Sequence, residues 1–356
     1  SLVTGVQTCA LPIFGWAERG GAFADGHGNS VPRFHITWGT GPGTLAPFIA
    51  RVRAHEAAGR VTFAFRHRAN AIETVNSAVS GVSGDVLAPS RVERGQASDR
   101  EITGDFHFEA ANVIVTTGGI GGNLEAVRKA WPRDRLGEPP EHMVCGVPAH
   151  VDGRGIAIAR AAGGATINED RMWHYTEGVK NWSPIWPNHG IRILPGPSSL
   201  WFDAEGNRLP PPCLPGFDTL STLRHLRTTG HDYSWFILTQ KIIEKEFALS
   251  GSEQNPDLTS GKWSAVLKQR LGKGATDAVE AFKEHGEDFI VRDNLEELVA
   301  GMNSLTGKHL IDAAAMRAQI EARDAQITNP YAKDAQVIAI NGARAYLGYK
   351  LIRTAR

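Results

Sequence analysis

The chain has 356 residues, enough for a sizeable core and for two domains at the usual 100–200 residues each. Its 38 Lys+Arg balance 38 Asp+Glu, which removes the electrostatic case for nucleic acid or an anionic membrane as the main partner. No apolar run approaches the ~18 residues of a membrane span, and the opening lacks the basic n-region of a secretory signal. Cys9, Cys145 and Cys213 are far apart with no CxxC, so neither a disulfide framework nor a metal site is expected, and a reducing, cytoplasmic setting suits them.

In chain order, residues 3–13, VTGVQTCALPI, carry no helical or strand periodicity. They back-translate without strain into a common sequencing adapter, so residues 1–13 are expected to be an artefact. From Phe14 to Gly43 the Gly- and His-rich stretch reads as loop, and GTGPGT (39–44) has glycines without a preceding buried strand. Thr44 then caps a helix whose apolar positions are Leu45, Phe48, Ile49 and Val52 and which stops at Gly59. RVTFAF (60–65) alternates like a strand. NAIETV and AVSGV flank a turn at Asn76–Ser77, and residues 87–105 read as a polar excursion.

Alternation resumes at Phe106 and ends in Val113-Ile114-Val115, the pattern of a strand buried on both faces of a parallel sheet. Next comes the most specific local signal, Thr117-Gly118-Gly119 followed by Gly121-Gly122. Paired glycines permit positive φ and bring backbone N–H groups close to a dinucleotide, though a tight turn without ligand has the same pattern. A short helix starts at Leu124. Asp152-Gly153 opens another, which ends at Gly163-Gly164 before a short strand. Asp152 reads as a helix cap or as a partner for a cofactor hydroxyl. Residues 130–235 are rich in Trp and Pro. Helices then dominate, one of them capped by an Asp293–Glu296 box.

Taken together, four stretches resemble the flavoprotein superfamily of fumarate reductases and 3-ketosteroid Δ1-dehydrogenases, in its FAD-binding dehydrogenase branch. They are ANVIVTTGGIGGN, VDGRGIAIARAAGG, PSSLWFDAEGNRLP and the set RFHITWGTGPG, RMWHYTEG and HDYSWFILTQKIIEKEFALSGSEQNPDLT. The likeness runs from Phe14 to Arg356. It implies an α/β, overall α+β, fold: a partial FAD-binding, Rossmann-like domain over 14–124, a mixed α+β substrate or capping domain over 125–340, and a return to the first domain over 341–356. The superfamily's GxGxxG unit has no match, so the chain is expected to be the middle of a longer enzyme, inactive alone.

The resemblance also implies site residues. FAD would be held by Ala69, Thr117, Gly118, Gly119, Gly121, Asp152 and Gly153. WHYTEG (173–178) replaces the superfamily's QFHPTG, putting Tyr175 at the family His with His174 beside it. These two are the catalytic candidates, with Arg171, Trp173 and Ser199 toward substrate. The broken pattern disfavours a fumarate-like dicarboxylate. Trp173, Trp182 and Trp186 suit a ring substrate such as a steroid ketone, with an unidentified electron acceptor. His174 reads equally as a hydrogen-bonded core histidine, the tryptophans as plain packing, and Arg171 as a surface ion pair with Glu169 or Asp170. A rival reading is a non-enzymatic module stacking rings or sugars on MWHYTEGVKNWSPIW.

Overall fold

A computed structural model describes residues 13–17, 34–93, 95–172, 174–216 and 219–345. Four small sheets and a set of mostly short helices make up the described residues. Strands β1 (Ile13–Ala17) and β2 (Phe34–Thr37) pair antiparallel, so part of the expected loop is a ladder. β2 runs through a turn at Trp38–Gly39 into the helix Thr40–Ala57, which starts four residues before the expected cap. Gly39, at φ 80°, makes that turn, and Pro42 is tolerated because first-turn N–H groups have no helical partner. The glycine segment 39–43 therefore does join a strand to a helix. Its helix end is closed by the chain itself: Gly39 N–H donates to the Leu258 carbonyl at 3.1 Å, and the Thr40 and Thr259 hydroxyls meet at 2.8 Å.

β3 (His67–Val75), β4 (Ala78–Leu87) and β5 (Ile102–Glu109) form an antiparallel meander. Asn76 and Ser77 both have positive φ, the twist that two-residue hairpins favour, so the expected turn is where the sequence puts it. The ladder runs further than expected, to Leu87 and from Ile102, because Leu87 pairs with Ile102 at the rim of the excursion.

Two expected strands, 60–65 and 113–115, are in no ladder. Ile114 is 88% exposed. Both stretches have the right side chains, but no neighbouring strand among the described residues offers them a hydrogen-bond edge, and a strand exists only as part of a pair. The short strand expected after Gly164 is likewise absent.

The main cores lie further along the chain. β7 (Gly190–Leu194) is the middle strand between β6 (Gly178–Lys180) and β10 (Ala248–Leu249). Its Ile191 and Ile193 pack with Phe247, Leu249, Val279 and Phe282. β8 (Leu200–Phe202) pairs with β9 (Trp235–Ile237) over Val299 and Met302 of the helix Leu295–Thr306, Met316 of the helix Ala313–Ile327, and Ile311 of the loop between them. The cap of Leu295–Thr306 is Asn294, whose side chain accepts from Glu297 N–H at 2.9 Å, one residue along from the expected Asp293 box. The helices Thr219–Thr228, Asp277–His285 and Ala335–Ala345 had no expected counterpart.

Candidate functional site

Residues 113–119 run extended and exposed, and among the described residues their peptide groups take no backbone partner. Gly118 sits at φ 82° with its α-carbon against Val151, where a Cβ would come within 3.1 Å, whereas a Cβ on Gly119 would meet nothing within 4 Å. Immediately beyond, the chain packs tightly. A Cβ on Gly121 would lie 2.9 Å from the Val147 side chain, and one on Gly122 would run into the Pro148 carbonyl. Gly122 N–H donates to the Val151 carbonyl at 2.8 Å, and Asn123 caps the helix Leu124–Lys129 by accepting from Ala126 N–H at 3.1 Å. The glycines thus have two jobs: Gly119 leaves backbone open, and Gly118, Gly121 and Gly122 allow close approach of two chain segments.

The segment they approach is the Asp152–Gly153 turn. Gly153, at φ 88°, presses its α-carbon toward Ile120, where a Cβ would come within 2.9 Å. Gly155 in the helix Arg154–Ala161 lies under Thr117, whose hydroxyl leaves no room for a methyl. The exposed Asp152 carboxylate accepts from Arg154 N–H at 2.9 Å and so acts in part as the expected cap. Six of the seven predicted cofactor residues, Thr117, Gly118, Gly119, Gly121, Asp152 and Gly153, are gathered here. Ala69, exposed on β3, is tied to them through its neighbour: Arg154 donates from Nη2 to Asn70 Oδ1 at 2.7 Å. Asn70 in turn donates to Asp85 at 2.8 Å, and with Arg68 it holds the Asp85 carboxyl below the usual carboxylate range.

A cofactor with phosphates and polar ring edges needs unpaired backbone donors that no side chain screens. Residues 117–119 supply them, and Asp152 adds an exposed carboxylate for a hydroxyl. The residues present fit a dinucleotide.

The second group of predicted residues is dispersed. His174 is half-buried and edge-on to Trp131, with ring centroids 4.6 Å apart. Burial first, then the charge of Arg135, pushes its imidazole below the ordinary 6.5, so it is neutral near pH 7. Its Nε2 is buried and has no hydrogen-bond partner among the described residues. Trp131 belongs to a small core with Val127, Leu136 and Leu223, against which Ile120 of the glycine turn also packs. His174 and the glycine turn therefore lean on one cluster.

Tyr175 is 41% exposed and lies under the Arg192 guanidinium, 4.0 Å from ring centroid to Cζ. Arg192 is fixed in the middle strand β7 and pairs with the buried Glu177 at 3.5 Å. Arg171 is exposed and 3.8 Å from Asp170, the surface-pair alternative. Ser199 faces no open surface: it is fully buried, its hydroxyl donates to the Gly196 carbonyl at 2.8 Å, and its carbonyl accepts from Gln336. That placement gives Ser199 no open face toward a substrate, because its hydroxyl is enclosed in the Gly196–Ser199 turn that leads into β8. Trp173 lies outside the described residues. Trp186 stacks on His189 at 3.7 Å and donates to the Cys145 carbonyl at 3.0 Å, so it is committed inside the fold and offers no stacking platform. Trp182 rests against His285.

Sequence reasoning missed Asn70, Arg154, Arg135, Glu177 and Arg192. One of them had a signal: Arg192 is a charge inside the apolar strand GIRIL.

This fold, mixed in helix and strand, is that of a flavoprotein. It superposes on the open conformation of a flavocytochrome c3 fumarate reductase with a TM-score of 0.50 at 14% identity, over 93% of this chain and 46% of that one. The FAD binding domain family matches residues 9–351, and the chain belongs to that family, whose cofactor is FAD. Among curated proteins, the KsdD-like steroid dehydrogenase of Mycolicibacterium smegmatis is 56% identical over 349 residues, 98% of this chain and 62% of that protein. A KsdD-like steroid dehydrogenase of Mycobacterium tuberculosis is 55% identical over 338 residues, 95% of this chain and 59% of its own length. The chain thus spans about three fifths of the curated relatives it matches.

Proposed function

We propose that the chain is the greater part of an FAD-dependent dehydrogenase acting on a CH–CH bond of a steroid-ketone-like substrate. The observation that carries this is the bare backbone of 117–119 beside the Asp152–Gly153 turn, in a chain that the FAD binding domain family covers from end to end of its described residues. The names of the curated relatives support the substrate class. The reading divides the chain into a Rossmann-like part over 14–124, a capping part over 125–340 and a return over 341–356. Cys145 and Cys213 are buried and form no disulfide among the described residues, which supports a cytoplasmic location.

FAD, when bound, supplies hydride exchange at N5. The chain's own residues do the rest. Thr117, Gly118 and Gly119 offer backbone donors. Gly121 and Gly153 allow the close packing that sets those donors beside Asp152. A His174 kept neutral by burial and by the charge of Arg135 offers Nε2, unpartnered among the described residues, to accept the proton left when hydride departs. Tyr175, held face-on by Arg192, is the alternative proton carrier on the exposed side.

The test is titration of the complete enzyme, of which this chain is the greater part, with FAD, followed by anaerobic addition of a saturated 3-ketosteroid. Flavin fluorescence should quench on binding, and the bound flavin should bleach on addition of steroid. Gly119→Val should abolish quenching without lowering the melting temperature, since space beside Gly119 is open. A protein that ignores FAD, or one whose bound flavin no steroid ketone bleaches, sinks the reading.

A further inference from the structure

We propose that Asn70 and Arg154 form a clasp that fixes the Ala69 strand against the Asp152–Gly153 turn, making both positioning residues for the dinucleotide. The inference rests on the FAD reading above. It starts from an irregularity in the β3–β4 ladder. Ala69 pairs with Gly84 and Ala71 with Ser83, so Asn70 is the extra residue of a β-bulge. Bulges re-aim side chains and recur beside functional sites. The bulge depends on the residue opposite, since a Cβ on Gly84 would strike the Arg68 carbonyl and come within 2.9 Å of the Phe106 ring.

Freed from the ladder, the Asn70 amide makes two bonds of opposite sense. Its nitrogen donates to Asp85 at 2.8 Å, and its oxygen accepts from Arg154 Nη2 at 2.7 Å. Asp85 is braced from the other side by Arg68, whose Nε lies 3.2 Å away. The far end is fixed too, because Arg154 N–H donates to the Asp152 carboxylate at 2.9 Å. A continuous chain, Arg68–Asp85–Asn70–Arg154–Asp152, therefore joins the strand to the turn, across 84 residues of sequence between Asn70 and Arg154. Every bond needs a specific donor or acceptor at its place, and Asn at the bulge supplies both. A dinucleotide touching Ala69 at one end and Asp152 at the other requires a fixed span between them, and binding is weaker when the ligand must pay to fix it.

FAD titration by fluorescence quenching on the complete enzyme, as wild type and as Asn70→Ala, Arg154→Leu, Arg154→Lys and the Asn70→Ala/Arg154→Leu double variant, tests this. Each single change should weaken FAD about tenfold, the size of one lost charge-assisted hydrogen bond. The double variant should lose no more than either single, since both break one link. Arg154→Lys should behave like Arg154→Leu, because Lys keeps the charge but not the reach and fork of guanidinium. Without FAD, amide exchange across 67–75 should quicken in the variants while the melting temperature stays put, both side chains being exposed. Unchanged affinity in either single variant, additive losses, or full rescue by lysine overturns the clasp and leaves the FAD reading standing. A complete wild-type enzyme that binds no FAD overturns both.

Discussion

His174 shows how one residue type can mean two things in a sequence and one in a structure. A lone histidine in WHYTEG reads equally as core or as base. The fold half-buries it against Trp131 and gives Nε2 no partner among the described residues. Because its folded pKa is lowered, the unfolded chain binds a proton at this position before the folded one does. The resulting contribution to stability is complete above the unfolded value of 6.5 and is lost as pH falls through the lower folded value. We expect the urea midpoint of the wild type to drop across that window and His174→Gln to flatten the drop. An imidazole NMR titration of His174 with a midpoint at or above 6.5 would count against it. Ser199 is the opposite lesson. Its hydroxyl is already spent on Gly196, which only the hairpin corner reveals.

Elements followed the sequence where their signals are local. The Asn76–Ser77 turn, the helix Leu124–Lys129 and the helix Ala313–Ile327 all depend on neighbours within a few residues. At Leu295–Thr306 two adjacent polar residues compete for the cap, and Asn294 holds it with an extended φ of −140°. Asn294→Ala should therefore lower stability by about 1 kcal/mol, and Asp293→Ala should stay within about 0.5 kcal/mol. Chemical denaturation of the two variants separates the assignments. Residues 60–65 and 113–115 failed as strands for a non-local reason: their side-chain pattern specifies how a strand would be buried, and pattern alone supplies no neighbour to pair with.

Across the whole molecule, apolar burial is uneven. Phe282 and Met316 are fully buried, as are Leu200 and Phe202 to within 2%, and all of them lie beyond residue 199. Leu45, Phe48, Ile49 and Val52 form an i, i+3, i+4, i+7 stripe on the helix Thr40–Ala57, yet each is at least 39% exposed. Phe282→Ala should thus cost about 3–5 kcal/mol, whereas Ile49→Ser, on a face the described residues leave open, should stay within about 0.5 kcal/mol. Thermal melts of the two variants will show whether stability resides where burial does; a large loss from Ile49→Ser would show that this face is covered.

The sequence by itself determined the glycine pairs, the Asp-Gly turn and the family they signal, because φ > 0 and close approach are demands that a residue type answers on its own. It also placed the helices whose caps and periodicity are local. Only the tertiary structure decided which glycines face open space and which press against Val147, Pro148 or Ile120, and that Asn70 and Arg154 meet. Those are distances between segments far apart in sequence, set by how the meander and the Arg154–Ala161 helix pack, and no single stretch of sequence encodes them.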